Sequence, residues 1–144
     1  MKQLENRIPP PIVVLLIGVS MAAAARALTP PLLPLWLRAS SSMVVIAVGF
    51  SFMARAFITF RDAATTIDPI RIERASSLVT SGVFSRSRNP MYVGMATMLV
   101  GWALLFGSPW LVLGPVSFVA FTTQFQILPE ERVMRARFGE AYAA

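Results

Sequence analysis

Between Trp110 and Leu128 the chain runs for 19 residues without one charged side chain. Three more apolar runs approach that length: Ile12 to about Leu28, about Ser42 to Phe60, and Met91 to Gly107. An α-helix needs about 20 mostly apolar residues to cross the roughly 30 Å hydrocarbon core of a bilayer. Hydrocarbon offers backbone polar groups no water, so helices are the natural spanning form. The pattern predicts an all-α integral membrane protein with about four transmembrane helices, a single membrane domain over residues 1–144. Composition agrees, with 56% hydrophobic and 14% charged residues, against about 25% charged in a soluble domain. Gly107, Ser108 and Pro109 alone separate the last two runs, which predicts a tight helical hairpin. Gly94, Thr97 and Gly101 fall on one face of the third run, where small residues permit close helix packing. Gly114-Pro115 predicts a kink in the fourth.

The placement of the cations sets an expected topology. Of 13 Lys and Arg residues, all but Arg26 and Arg38 fall on the face that holds both termini and the 61–90 loop. The positive-inside rule puts that face in the cytoplasm and the protein in the cell (inner) membrane as a multi-pass chain. The net charge of +6 is thereby explained by topology. The bilayer is the expected partner and nucleic acid is not, because no soluble basic face remains to bind it. Lys2, Arg7, the first apolar run and Ala25-Arg26-Ala27 also fit a cleavable signal peptide; the later topology survives that alternative.

The chain has no Cys and no His. Thiolate and imidazole metal sites, serine–histidine triads and a cysteine nucleophile are excluded, and no metal is expected. Chemistry is left to carboxylates, arginines, hydroxyls, amides, aromatics or a bound cofactor. Arg55, about one and a half turns before the end of the second run, either snorkels to the interface or binds an anionic substrate group there.

Polar residues gather at two places. Arg86-Ser87-Arg88-Asn89-Pro90-Met91-Tyr92 leads into the third run, with Pro90 suited to the first helical turn and Asn89 or Ser87 to the cap. Glu130 and Glu131 follow the fourth run, just after Pro129. There Met134, Phe138 and Ala141 or Tyr142 beside Arg132, Arg135 and Arg137 predict a short C-terminal amphipathic helix on the membrane surface. A hairpin returns the start of the third run and the end of the fourth to one face, with axes about 8–10 Å apart. Arg88, Asn89 and Tyr92 are therefore expected to meet Glu130 and Glu131. An ordinary membrane boundary with caps and an ion pair would show the same residues.

Leu78-Val79-Thr80-x-Gly82-x-Phe84-x-x-Ser87-Arg88-Asn89-Pro90-x-Tyr92-x-Gly94, an apolar hairpin, and Glu130-Glu131-x-x-Met134-x-x-x-Phe138-Gly139-x-x-Tyr142 together resemble the isoprenylcysteine carboxyl methyltransferase family. Membrane phospholipid N-methyltransferases share the short core of this pattern. The resemblance covers about residues 60–142, and Thr65-Thr66-Ile67-Asp68-Pro69 is similar to a loop of short bacterial relatives.

The resemblance implies a helical membrane methyltransferase using S-adenosylmethionine. It places Arg88, Asn89, Pro90, Tyr92, Gly94, Glu130 and Glu131 in the donor pocket. Of these, Arg88 is the candidate for the donor's carboxylate, and Glu130 or Glu131 for its ammonium or a ribose hydroxyl. Tyr92 suits the adenine or the sulfonium. Arg88 and Glu131 are the candidate catalytic residues, with Glu131 the base should the acceptor be an amine.

Two departures from the family stand out. The usual histidine is Asn89, whose amide cannot shuttle protons near neutral pH. The chain reads Tyr142-Ala143-Ala144 where relatives continue with an aromatic and basic residues, which implies a shortened lid. The acceptor is expected to be lipophilic, of the isoprenylcysteine carboxylate kind or another, entering between helices from lipid. The competing readings are a catalytically degenerate membrane protein of the same fold and a nicotinamide-dependent membrane reductase. Four short spans also make a homodimer a reasonable expectation.

Overall fold

The computed structural model describes residues 8–27, 31, 33–62, 87 and 89–139. Their regular structure is helical throughout: α1 (Pro10–Ala25), α2 (Leu35–Asp62), α3 (Pro90–Phe106), a 3-10 turn (Pro109–Val112), α4 (Leu113–Thr122), a π turn (Thr123–Ile127) and α5 (Leu128–Phe138). The Thr65–Pro69 and Leu78–Phe84 motifs and Tyr142 lie outside the described residues, as do Lys2, Arg7 and most of the 61–90 loop.

Two helical stretches are long and apolar enough to cross a membrane. Leu35–Thr59 has 25 residues with mean hydropathy 1.8, and Pro109–Ala136 has 28 with mean hydropathy 1.5. Helices α1 and α3, also apolar, have 16 and 17 residues, or about 24 and 26 Å of rise. The outward surfaces are apolar: Leu15, Trp36, Met43, Trp110 and Leu113 are all exposed. Such a surface suits lipid and not water. The buried cluster is small by comparison, with Val13, Met21, Met95, Leu99, Leu111 and Phe118 at its centre.

The bounds depart from the sequence expectation in two places. The second run was expected from about Ser42, yet α2 starts at Leu35. Polar residues do not stop it because they are satisfied inside the helix. Ser40 and Ser41 hydroxyls donate to the Leu37 carbonyl at 3.2 and 2.8 Å, a common way for serine to sit in a helix. Arg38 sends its guanidinium away from lipid. Its Nη1 donates to the Leu105 and Phe106 carbonyls at 2.6 and 3.1 Å, and its Nε to Leu33 O at 3.0 Å. It thus caps the C-terminus of α3, where orphan carbonyls and the helix dipole both favour a cation.

The second departure is at the C-terminus. The amphipathic segment is not a separate surface helix but the continuation of α4. Thr122, Thr123, Ile127 and Leu128 all keep right-handed helical backbone angles. Pro129 has no N–H to give to the turn before it, and its ring crowds the Phe125 carbonyl. The π turn widens the backbone at that point, so the helix passes through the proline without breaking. Gly114-Pro115 lies where the 3-10 turn becomes α4, so that irregularity falls near the helix start.

Close packing holds α2 against α3. A Cβ at Gly49 would lie 2.7 Å from the Gly94 carbonyl oxygen, one at Gly94 would lie 2.7 Å from the Gly49 oxygen, and one at Gly101 would lie 2.6 Å from Ile46. The pairs run in opposite directions along the two helices, so α2 and α3 are antiparallel. Gly107 ends α3 with φ 72°, a left-handed C-cap that favours glycine, and the hairpin into the 3-10 turn is as tight as expected. Helix α1 lies against α3 and α4. The Trp102 indole donates to the Gly18 carbonyl at 3.0 Å, and Met21 packs on Gly114. The start of α1, the end of α2, the start of α3 and α5 therefore share one end of the bundle.

Candidate functional site at the shared end of the helices

Helix α3 begins at Asn89-Pro90. Pro90 is buried at the first helical position, where its missing N–H is no loss. Asn89 occupies the N-cap position, but its side chain makes no bond to the helix. Ser87 does not cap the helix either; its Oγ accepts the Asn89 backbone N–H at 3.2 Å. Two residues inside the helix stands Tyr92, half-buried against the core cluster.

Glu130 reaches Tyr92 from α5. The Tyr92 hydroxyl donates to Glu130 Oε1 at 2.5 Å, across 38 positions of sequence. Glu130 lies past the apolar run that ends at Leu128, at the rim of the bundle. Glu131 points elsewhere. It pairs along its own helix with Arg135 at 3.4 Å, and it is the more sheltered member of that pair.

The expected convergence of the two sequence elements is thus present in Tyr92 and Glu130. Asn89 and Pro90 sit directly before Tyr92, and Glu131 directly after Glu130. Arg88 lies outside the described residues. Gly94 is one half-turn deeper in α3, packed on Gly49 and Met53 of α2. Arg55 is exposed on α2. Among the described residues no group of three or more Asp or Glu side chains could hold a metal ion.

Residues 37–141 match the phospholipid methyltransferase family. The chain belongs to that family. The match takes in α2 from its third residue, all of α3, α4 and α5, and every candidate residue of the site. It reaches further toward the N-terminus than the 60–142 stretch that carried the sequence resemblance, and so includes the close contacts of Gly49 with Gly94 and of Ile46 with Gly101. A relative, described as an uncharacterized protein of Haemophilus influenzae, is 35% identical over 52 residues, which is 36% of this chain and 82% of that one. No solved structure matches the chain. Family membership implies a membrane methyltransferase, and the apolar exterior of the helices agrees with it.

Two polar residues at this end of the fold were not singled out from sequence. Gln126 is almost fully buried in the π turn, and its Nε2 donates to the Ile8 carbonyl at 2.7 Å. Thr122, one turn earlier, is also buried and returns its hydroxyl to the Phe118 carbonyl at 2.8 Å. A signal was available: an amide inside an otherwise apolar run must find a partner or stay at the helix edge.

Proposed function

We propose that the protein transfers a methyl group from S-adenosylmethionine to a lipophilic acceptor at the cytoplasmic surface of the cell membrane. An isoprenylcysteine-like carboxylate is one acceptor of the right kind. The observation that carries the reading is the Tyr92–Glu130 bond. In a chain of the phospholipid methyltransferase family, it joins the two sequence elements that the family resemblance assigns to the donor.

The residues at this end fit the chemistry of that donor. Two carboxylates, Glu130 and Glu131, suit an ammonium and ribose hydroxyls. Asn89 adds an amide that α3 does not use, and Tyr92 adds an aromatic face. Arg88 would take the donor's carboxylate. When bound, S-adenosylmethionine supplies an electrophilic methyl carried on a sulfonium. The chain's own contribution is positioning and the exclusion of water, which can account for much of such a rate enhancement. A carboxylate or thiolate acceptor needs no base. An amine acceptor must lose a proton, and Glu131 is the residue assigned to accept it. Asn89 cannot do so. Arg55, exposed on α2, would meet an anionic group of the acceptor at the interface.

The proposed topology has four spans, with both termini and the 61–90 loop in the cytoplasm. The bias of 11 cations to two across the bilayer supports it. It also puts the Tyr92–Glu130 end where a water-soluble donor arrives from the cytosol and a lipophilic acceptor from the bilayer.

Calorimetry of the detergent-purified protein with S-adenosylmethionine tests the reading, with NADPH as a control. Saturable binding of the donor is expected, weakened at least about tenfold by Glu131→Gln. Absence of binding by folded protein would refute it in favour of a degenerate relative. Saturable binding of NADPH instead would refute it in favour of a reductase.

A further inference from the structure

We infer that Gln126 is a positioning residue for the Tyr92–Glu130 pair: its buried amide, bonded to the Ile8 carbonyl, holds the π turn that aims Glu130 at α3.

Helical phase links Gln126 to Glu130. Thr122, Gln126 and Glu130 are spaced four apart. In a straight α-helix each residue turns about 100°, so Glu130 would stand about 80° away from the direction of Thr122. The Leu128 N–H instead bonds to the Thr123 carbonyl, five residues back. One π turn of this kind takes up about one additional residue, and so cancels most of that 80°. Thr122 at 2% and Gln126 at 1% exposure face the interior, and Glu130 follows them onto the same side, where the Tyr92 hydroxyl meets it.

A π turn is less favourable than the α-helix it interrupts, so something must hold it. Pro129 opposes an unbroken α-helix from the C-terminal side. Gln126 acts from within the turn. Its amide is withdrawn from lipid and water and spends its donor on a backbone carbonyl just before α1. A buried amide without a partner is costly, so this bond pins the rotation of the turn to the residues that lead into α1. The start of α1 thereby bears on the donor end of the bundle through Gln126.

The catalytic consequence rests on the proposed function; the geometry does not, and the test separates them. Tyr92 and Tyr142 are the two tyrosines of the chain, so Tyr142→Phe leaves Tyr92 as the sole reporter. Resonance Raman scattering from its phenol reads whether the hydroxyl donates a strong hydrogen bond. Glu130→Gln defines the spectrum of the weakened bond. Gln126→Met keeps the length and bulk of the side chain but has no donor. It is expected to move the Tyr92 spectrum to that of Glu130→Gln, and to lower affinity for S-adenosylmethionine about tenfold, with helicity by circular dichroism unchanged. If Gln126→Met does not fold, Gln126→Asn, an amide one methylene too short to reach Ile8, carries the same expectation. A folded variant whose Tyr92 spectrum matches the parent overturns the inference, whatever the donor affinity. Lack of donor binding by the parent protein would overturn the proposed function and leave the spectroscopic result to decide this one.

Discussion

A methyl group added at Gly94 tests the contact on which the α2–α3 pair depends. Its Cβ would lie 2.7 Å from the Gly49 carbonyl oxygen, 2.7 Å from Met53 Cγ and 3.2 Å from the Met53 backbone nitrogen. Non-bonded carbon contacts are comfortable at about 3.5–4.0 Å. The Met53 side chain can withdraw, since methionine is flexible. The Gly49 carbonyl cannot, because it belongs to a helix backbone. The two helices must therefore separate by several tenths of an ångström, along a seam that Gly49 and Gly101 also keep close. Overpacking of this kind costs about 1–3 kcal/mol, and alanine in place of glycine within a helix returns at most about 1 kcal/mol. Gly94→Ala is expected to lose about 1–2 kcal/mol. Gly18→Ala is the matched control. A Cβ there meets only the Trp102 indole nitrogen, at 3.9 Å, so the propensity gain stands alone and the variant should be neutral or up to about 1 kcal/mol more stable. Equilibrium unfolding in mixed micelles with rising SDS, followed by circular dichroism, measures both. Gly94→Ala as stable as the parent, or Gly18→Ala as damaged as Gly94→Ala, would show that the close approach of the two backbones does not limit the packing. Gly49→Ala presses on the same backbone from the other side, 2.7 Å from the Gly94 oxygen. A matching loss there assigns Gly94 to packing; a loss of donor affinity confined to Gly94→Ala assigns it to the pocket.

Two further substitutions probe the ends of the bundle. Arg38→Gln removes the guanidinium from the Leu105 and Phe106 carbonyls; a loss of about 1–3 kcal/mol is expected by the same unfolding assay. Arg38→Lys should not restore it, because an ammonium lacks the planar fork. Glu131→Gln breaks an i,i+4 pair in which Arg135 is largely exposed. It should cost under about 0.5 kcal/mol, so weaker donor binding in that variant reads the site and not the fold.

Hydropathy carried the fold class. Long apolar runs permit few solutions in lipid, so the helical body, the hairpin at Gly107 and the return of Tyr92 and Glu130 to one end were legible in the residues. The resemblance added the chemistry, and the match over residues 37–141 established the family. Helix bounds were less legible. Arg38 and the serines around it read as a boundary, yet α2 runs through them because each finds a carbonyl within reach.

The choice between the two glutamates lay beyond the sequence. Glu130 and Glu131 are adjacent, of one chemistry, and both follow a proline. Any assignment from spacing assumes an unbroken α-helix, and the π turn shifts that phase by about one residue. Which carboxylate meets Tyr92 is decided by a backbone register that depends on Pro129 within the helix and on a hydrogen bond from Gln126 to Ile8, 118 positions away. Sequence determines that two polar clusters share an end of the bundle, because hairpin length and apolar run length are local quantities. Which side chains touch there is left to the packed fold, because helical rotation is set by packing against other helices.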